Sequence, residues 1–183
     1  DYHFALMEFA TGAIEWMRPL FAGEFNEPGA VAVADDGTTI VAQGDVLSVV
    51  SPEGTVVHEE DARESGRRYT QIALAAGGDL WVGRIRDRTV DSVEVYARDG
   101  TVLWSVDSED SENEGGVAIS PNGRFIAVND AWGLHVFGRD GSLIHERLSD
   151  RFIGGWQHKG VGIANDGTYA YADGNRIVYG RVD

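Results

Sequence analysis

The chain has no cysteine, two methionines, four prolines and a single lysine, Lys159, among its 183 residues. The lack of cysteine excludes a disulfide framework and a thiolate metal site. It fits a reducing, cytoplasmic setting, or an extracytoplasmic one had a leader been removed. No apolar run approaches ~18 residues, which excludes a membrane-spanning helix. The chain opens at Asp1 with no charged-then-apolar leader, so a targeting segment is expected to be absent or already cleaved. Several enzyme signatures are missing as well: the GxSxG elbow, HExxH, the Walker loop and the Rossmann glycine pattern. Any site must therefore be assembled from residues that are distant in sequence. The length suits one domain, 1–183, whose core needs no covalent staple.

What is present first is acid. Thirty Asp and Glu face fifteen Lys and Arg, a formal net charge of -15, and every basic residue except Lys159 is arginine. Acids spread along the chain with almost no lysine resemble the composition of a halophilic, haloarchaeal-type protein. Salt at 1 M screens charges beyond ~3 Å, so a dense acidic surface is tolerated there and aids solubility. In that setting the charge neither indicates nor excludes nucleic acid, nor does it single out a cationic partner.

A repeat organises the rest. Four times an apolar stretch runs into a turn that ends in glycine and then into a second apolar stretch: Val31-Ala32-Val33 before Asp36-Gly37, Ile72-Ala73-Leu74 before Gly77-Gly78, Val117-Ala118-Ile119 before Asn122-Gly123, and Val161-Gly162-Ile163 before Asp166-Gly167. The turn glycines lie 41, 45 and 44 residues apart (37 to 78, 78 to 123, 123 to 167). Such a period with β-type segments marks propeller blades. Each repeat parses into strands a, b, c and d joined by turns of Gly, Asp and Asn, which accept or tolerate positive φ. Val, Ile, Tyr, Phe and Trp fill the strands, as half-buried pleated surfaces prefer. A large ring follows each c–d glycine by four residues, at Trp16, His58, Trp104 and His145, a position suited to a wedge between blades.

The expected fold is all-β, a β-propeller of about four four-stranded blades, or an arc of a larger or dimeric ring. Blades are expected over 29–60, 70–106 and 115–148, with pieces 1–20 and 159–183 sharing a fourth. In that fourth blade, 13–18 would supply the last d strand. The parse leaves one c strand over, because 3–10 and 175–181 both qualify. Either one of them is displaced, or the ring is longer, or two chains combine as a homodimer.

Ser120-Pro121-Asn122-Gly123-Arg124-Phe125-Ile126-Ala127-Val128 resembles the SPDG-type blade of WD40-like, TolB-like and YVTN propellers. Leu6 to Trp16, with Thr11-Gly12, is similar to the strand pair of pyrroloquinoline-quinone-type repeats. The resemblance covers nearly the whole chain and concerns architecture. The WD40 Trp-Asp dipeptide, the kelch double glycine and the sialidase Asp-box are missing, so it carries over no catalytic residue.

Arginines and tryptophans mark the candidate binding face. Arg63, Arg67 and Arg68 fall in a d–a loop, and Arg84, Arg86 and Arg88 in the next b–c loop. In propeller topology these two loop types share one face. Arginine forks hold carboxylate or phosphate bidentately, so a protein or an anionic small molecule is the expected partner; pairing with Asp87, Asp91 and the acidic run is the plain alternative. Trp132, Trp156 and His158 belong to the same face. His58 and His145 take the packing position of the repeat, and His3 and His135 read as half-exposed strand positions. The run Asp107 to Glu114 offers oxygens for Ca²⁺ or another divalent ion but lacks the order of a calcium loop, so neither a cofactor nor a metal is expected. The resulting reading is a non-enzymatic binding scaffold with no catalytic residues. The alternative is a metal-dependent hydrolase or lactonase-like propeller enzyme, its ion held in the channel by carboxylates, with the site drawn from the loop residues Glu24, Glu27, Asp45, Asn129, Asp130, Asp173 and Asn175.

Overall fold

The computed structural model describes residues 3–7, 14–19, 30–43, 46–62, 65–86, 91–108, 115–130, 132–149, 160–174 and 176–182. Seventeen strands fill these segments in chain order. β1 (His3–Met7) and β2 (Ile14–Pro19) form a hairpin of their own. β3 (Ala30–Val33), β4 (Thr39–Gln43), β5 (Val46–Val50) and β6 (Val56–Asp61) make the first four-stranded antiparallel blade. The second contains β7 (Arg68–Leu74), β8 (Leu80–Arg86), β9 (Asp91–Ala97) and β10 (Val102–Ser108). The third contains β11 (Gly116–Ile119), β12 (Phe125–Asp130), β13 (Gly133–Gly138) and β14 (Leu143–Leu148). A three-stranded fourth blade closes the list with β15 (Val161–Ile163), β16 (Thr168–Asp173) and β17 (Arg176–Arg181). No helix among the described residues is long and apolar enough to cross a membrane.

The repeated turn chemistry produces these blades. Gly37, Gly78, Gly123 and Gly167 all have φ between 66° and 88°, where a Cβ would clash and glycine is at ease. The preceding Asx side chain locks the same turn. Asp36 Oδ1 accepts the Thr38 N–H at 2.9 Å, Asn122 Oδ1 that of Arg124 at 3.1 Å, and Asp166 Oδ1 that of Thr168 at 3.0 Å. The innermost strands β3, β7, β11 and β15 abut one another in chain order. Their turns are stitched together by Asp35 N–H to Ala76 O, Ala76 N–H to Pro121 O and Asn122 N–H to Asn165 Oδ1.

One apolar core lies between each pair of consecutive blades. Ile40, Leu47 and Val49 meet Tyr69, Trp81 and Tyr96; Val82, Val93 and Val95 meet Val117, Ile126 and Phe137; Ala127, Leu134 and Val136 meet Ile163, Tyr169 and Tyr171. His58, Trp104 and His145, the large rings after three of the c–d glycines, reach across to the next blade, as expected; the Trp16 side chain lies outside the described residues. A Cβ on Gly100 would meet the His58 ring at 2.5 Å, and one on Gly141 would meet Trp104 at 3.0 Å. Trp104 Nε1–H also donates to Arg139 O, and His145 Nε2 lies 3.0 Å from the Tyr169 hydroxyl.

The sheets do not close into a ring. β2 pairs with β1 across a local hairpin, and the last sheet ends at β17; the pairing of 13–18 with the final c strand is not the one made. A hairpin closes a much shorter loop than a partner some 160 residues away, so its entropy cost is smaller. The consequence shows at the ends of the arc. Ile177 and Tyr179 are 66% and 69% exposed. Their register equivalents, Val93 and Val95 in the second blade and Leu134 and Val136 in the third, are fully covered by the following blade. At the other end Val31 and Val33 are exposed, whereas Val117 and Ile119 at the same register are buried.

Candidate binding face

The arginine cluster divides into residues that hold the blades together and residues that reach the surface. Arg67, just ahead of β7, lies 3.3 Å from Glu60 Oε1 and 2.7 Å from Glu94 Oε1. The Tyr69 hydroxyl donates to Glu60 at 2.5 Å, the Tyr96 hydroxyl donates to Glu94 at 2.5 Å, and the two phenol oxygens are 3.2 Å apart. Five side chains from two blades thus form a closed polar circuit. Burial first, then the hydrogen bond to Glu60, pushes the Tyr69 phenol well above its ordinary value; burial and the neighbouring Tyr69 do the same to Tyr96. Both phenols therefore remain neutral donors well into the alkaline range.

Arg84 requires a correction. It lies within β8, not in the loop after it, and it is 1% exposed. Every residue of β8 before Arg86 is buried, because this strand has a blade against each of its faces. The Arg84 guanidinium crosses to the third blade, where a Cβ on Gly115 would meet its Nη1 at 2.6 Å and where its charge helps keep Asp130 ionised. It therefore acts as a strut between blades. Arg86 ends the strand, half-exposed, with Nε 3.7 Å from Oδ1 of the buried Asp91. Arg68 stands opposite Arg86 in the ladder and is partly exposed. Arg63, Arg88, Trp156 and His158 lie outside the described residues, as do 109–114 of the acidic run.

Trp132 follows β12 and is 47% exposed. Its N–H donates to Asp130 Oδ1 at 2.8 Å, which fixes the turn that presents the indole. Beside it lies a group that sequence reasoning did not assemble. His135 sits between two carboxylates, with Nε2 3.6 Å from Asp130 Oδ2 and Nδ1 3.2 Å from Glu146 Oε1. These residues, with Trp132 and Asp107, border a cavity of about 330 Å³ between the second and third blades. The signal was the ladder register: His135 faces Val128 on one side and Glu146 on the other, and Asp130 shares the Val128 face two residues on.

The contact with the Asp130 carboxylate, reinforced by Glu146, raises the His135 pKa above its ordinary 6.5 despite burial. Burial works against Asp130, yet His135, the Trp132 N–H and Arg84 hold its carboxyl below the usual range. A raised histidine stabilises the fold fully below its unfolded pKa, about 6.5, and loses that contribution as pH rises through the folded value. The depressed aspartate contributes above about 3.9 and loses it as pH falls. The stability gap between the native chain and His135→Gln, measured by urea unfolding, is thus expected to be widest between about pH 4 and 6.5 and to narrow as pH rises through the raised folded value. A gap that stays constant with pH would place His135 outside this charge system.

Of the groups considered for a channel ion, Asp173 Oδ1 accepts from Ser149 Oγ, Asp130 accepts from Trp132, and the Asn129 amide Nδ2 donates to Ala172 O. Among the described residues no group of three or more His, Asp or Glu is placed to hold a metal ion. Glu24, Glu27, Asp45 and Asn175 lie outside them.

No protein-family model and no curated protein matches the sequence. Solved structures do match in shape. A Bacteroides caccae protein of unknown function aligns with a TM-score of 0.56 at 14% identity, over 95% of this chain and 66% of that one. KlAtg21, solved in complex with the coiled coil of AgAtg16, aligns at 0.72 with 14% identity, over 97% and 58%. The WD40 repeats of RRP9 align at 0.62 with 12% identity, over 78% and 43%. The chain thus spans about half to two thirds of the length of these structures. At such identities the likeness concerns fold alone, and the fold is that of WD40-like β-propeller blades.

Proposed function

We propose that the chain is a non-enzymatic scaffold that recognises a protein partner through the loop face bearing Trp132, Arg68 and Arg86. The observation that carries this reading is Trp132, a half-exposed indole on a turn fixed by Asp130 and flanked by rigid blades. Tryptophan and arginine dominate binding hot spots because they offer large contact area with little side-chain entropy to lose. A face held by packed blades keeps the ordering cost of association low. The coiled-coil complex of KlAtg21 is a precedent on the same fold for protein binding. Arg68 and Arg86 add a preference for carboxylates at one edge of the face.

The test is a random-peptide display selection against the immobilised full chain in multimolar KCl. Binders are expected whose affinity falls about thirtyfold in Trp132→Ala, the loss of a typical hot spot of about 2 kcal/mol, and falls further with Arg68→Ala, while circular dichroism is unchanged. If neither variant weakens any recovered binder, the assignment to this face is wrong.

A further inference from the structure

The cavity between the second and third blades has a chemistry of its own. It is lined by the apolar Val106 and Phe137 and by Asp107, Asp130, Glu146 and Trp132, with Phe137 and Asp130 buried and Asp107, Glu146 and Trp132 exposed. We propose that this cavity is a recognition pocket for an arginine side chain of the partner protein, an assignment that rests on the scaffold reading. At about 330 Å³ it lies at the lower end of the ~300–1,000 Å³ range of ligand pockets, room for one side chain rather than a cofactor.

Three properties select arginine. First, three carboxylates against the His135 imidazole and the Arg84 guanidinium beside Asp130 leave the pocket anionic in either state of His135, so a cation is drawn in and a carboxylate or phosphate is repelled. Second, the carboxylates are spread from the buried Asp130 to an exposed rim with Asp107 and Glu146 rather than gathered as ligands: His135 lies between Asp130 and Glu146, and no metal-ligand group forms among the described residues. A wide planar cation can bridge such a rim, whereas a small divalent ion needs its oxygens converged. Third, an indole at the mouth and aliphatic side chains inside match a guanidinium that stacks on aromatic faces and a stem that buries its methylenes. The pocket is also preorganised. Asp130 is only 9% exposed and is held by the Trp132 N–H and by His135, and Arg84 buttresses it from behind. Glu146 is half-exposed, with its Oε1 against His135 Nδ1.

The face would then have two poles, with Arg68 and Arg86 on the second blade and the acidic pocket at its seam with the third. That polarity would orient a partner as well as attract it.

The experiment is an NMR titration of the full chain with N-acetyl-arginine-N-methylamide, read at the Trp132 indole N–H and the His135 ring. The neutral citrulline analogue and the lysine analogue serve as comparisons. Saturable, millimolar binding of the arginine probe is expected, with none for citrulline and weaker binding for lysine. Trp132→Ala and Glu146→Gln should each weaken it roughly tenfold. Asp107→Asn should weaken it too, and Asp99→Asn, in a turn at the other end of the strands, should not. Equal binding of citrulline or lysine, or equal loss in Asp99→Asn, overturns the assignment. The two readings fail separately. Display-selected peptides that depend on Trp132 but lack arginine would remove the pocket and leave the scaffold. Arginine bound in the pocket with no peptide binder recovered would do the reverse.

Discussion

Arg84→Ala is expected to lower the stability of the chain by about 3 kcal/mol, although it removes a residue whose type and position first read as part of a binding surface. The guanidinium is 1% exposed and spans the seam between the second and third blades. Its removal takes away a charge that helps keep Asp130 ionised and leaves a space that β8 and β12, each packed between neighbours, cannot collapse to fill. The cost of leaving a buried carboxylate under-compensated is of the same order as the cavity term, so the two together place the effect well above that of a surface substitution. Urea unfolding at neutral pH measures it directly. Arg68→Ala, at a partly exposed position, is expected to stay within about 0.5 kcal/mol of the native chain. If Arg84→Ala proved as mild, the residue would not be the strut its burial implies. A binding assay that pairs Arg84→Ala with Arg86→Ala would therefore confuse lost recognition with lost folding.

A larger loss, about 4 kcal/mol, is expected for Trp81→Ala. The indole is fully buried at the seam between the first and second blades. It stacks on Tyr96 with ring centroids 3.8 Å apart and planes 5° from parallel, and its Nε1–H donates to Ala97 O at 3.0 Å. Three contributions are lost together: the transferred apolar area, the ring stacking and a satisfied donor. Tyr69 and Tyr96 would also lose the wall that positions their hydroxyls in the circuit with Glu60, Glu94 and Arg67. Trp81→Phe keeps the stack and the area while dropping the donor, and is expected to recover more than half of the loss. If phenylalanine and alanine were equally damaging, the hydrogen bond to Ala97 would outweigh the packing.

The blades were legible because their turns are. An Asx or Gly residue followed by a glycine at positive φ is a local instruction, and the four a-strand segments read from Val31, Ile72, Val117 and Val161 each lie in an inner strand. The rings after the c–d glycines were legible for the same reason, since a fixed offset along one strand needs no knowledge of the neighbour. The site was less so. Arg84 was misplaced because a strand covered on both faces gives no apolar-polar alternation to mark where it ends, and β8 runs three residues beyond Gly83. The pocket depends on register across three strands, with Asp130, His135 and Glu146 brought together from β12, β13 and β14. Each looks ordinary alone. Closure of the arc was open in the sequence because two segments qualified as c strands, and a pairing between distant segments leaves no local trace.

The uncovered apolar residues on the first and last blades make folding of this arc a one-dimensional problem. Blades in a row gain stability from what each can do alone and from each seam it shares. The second and third blades are held on both flanks, whereas among the described residues nothing covers Val31 and Val33 on the first blade or Ile177 and Tyr179 on the fourth. Opening free energies therefore fall away from the middle toward both ends, and fluctuations begin there. Arg84, Trp132 and the acidic pocket lie at the central seam or on the strands that form it. The proposed recognition chemistry is thus placed where the described arc is last to open.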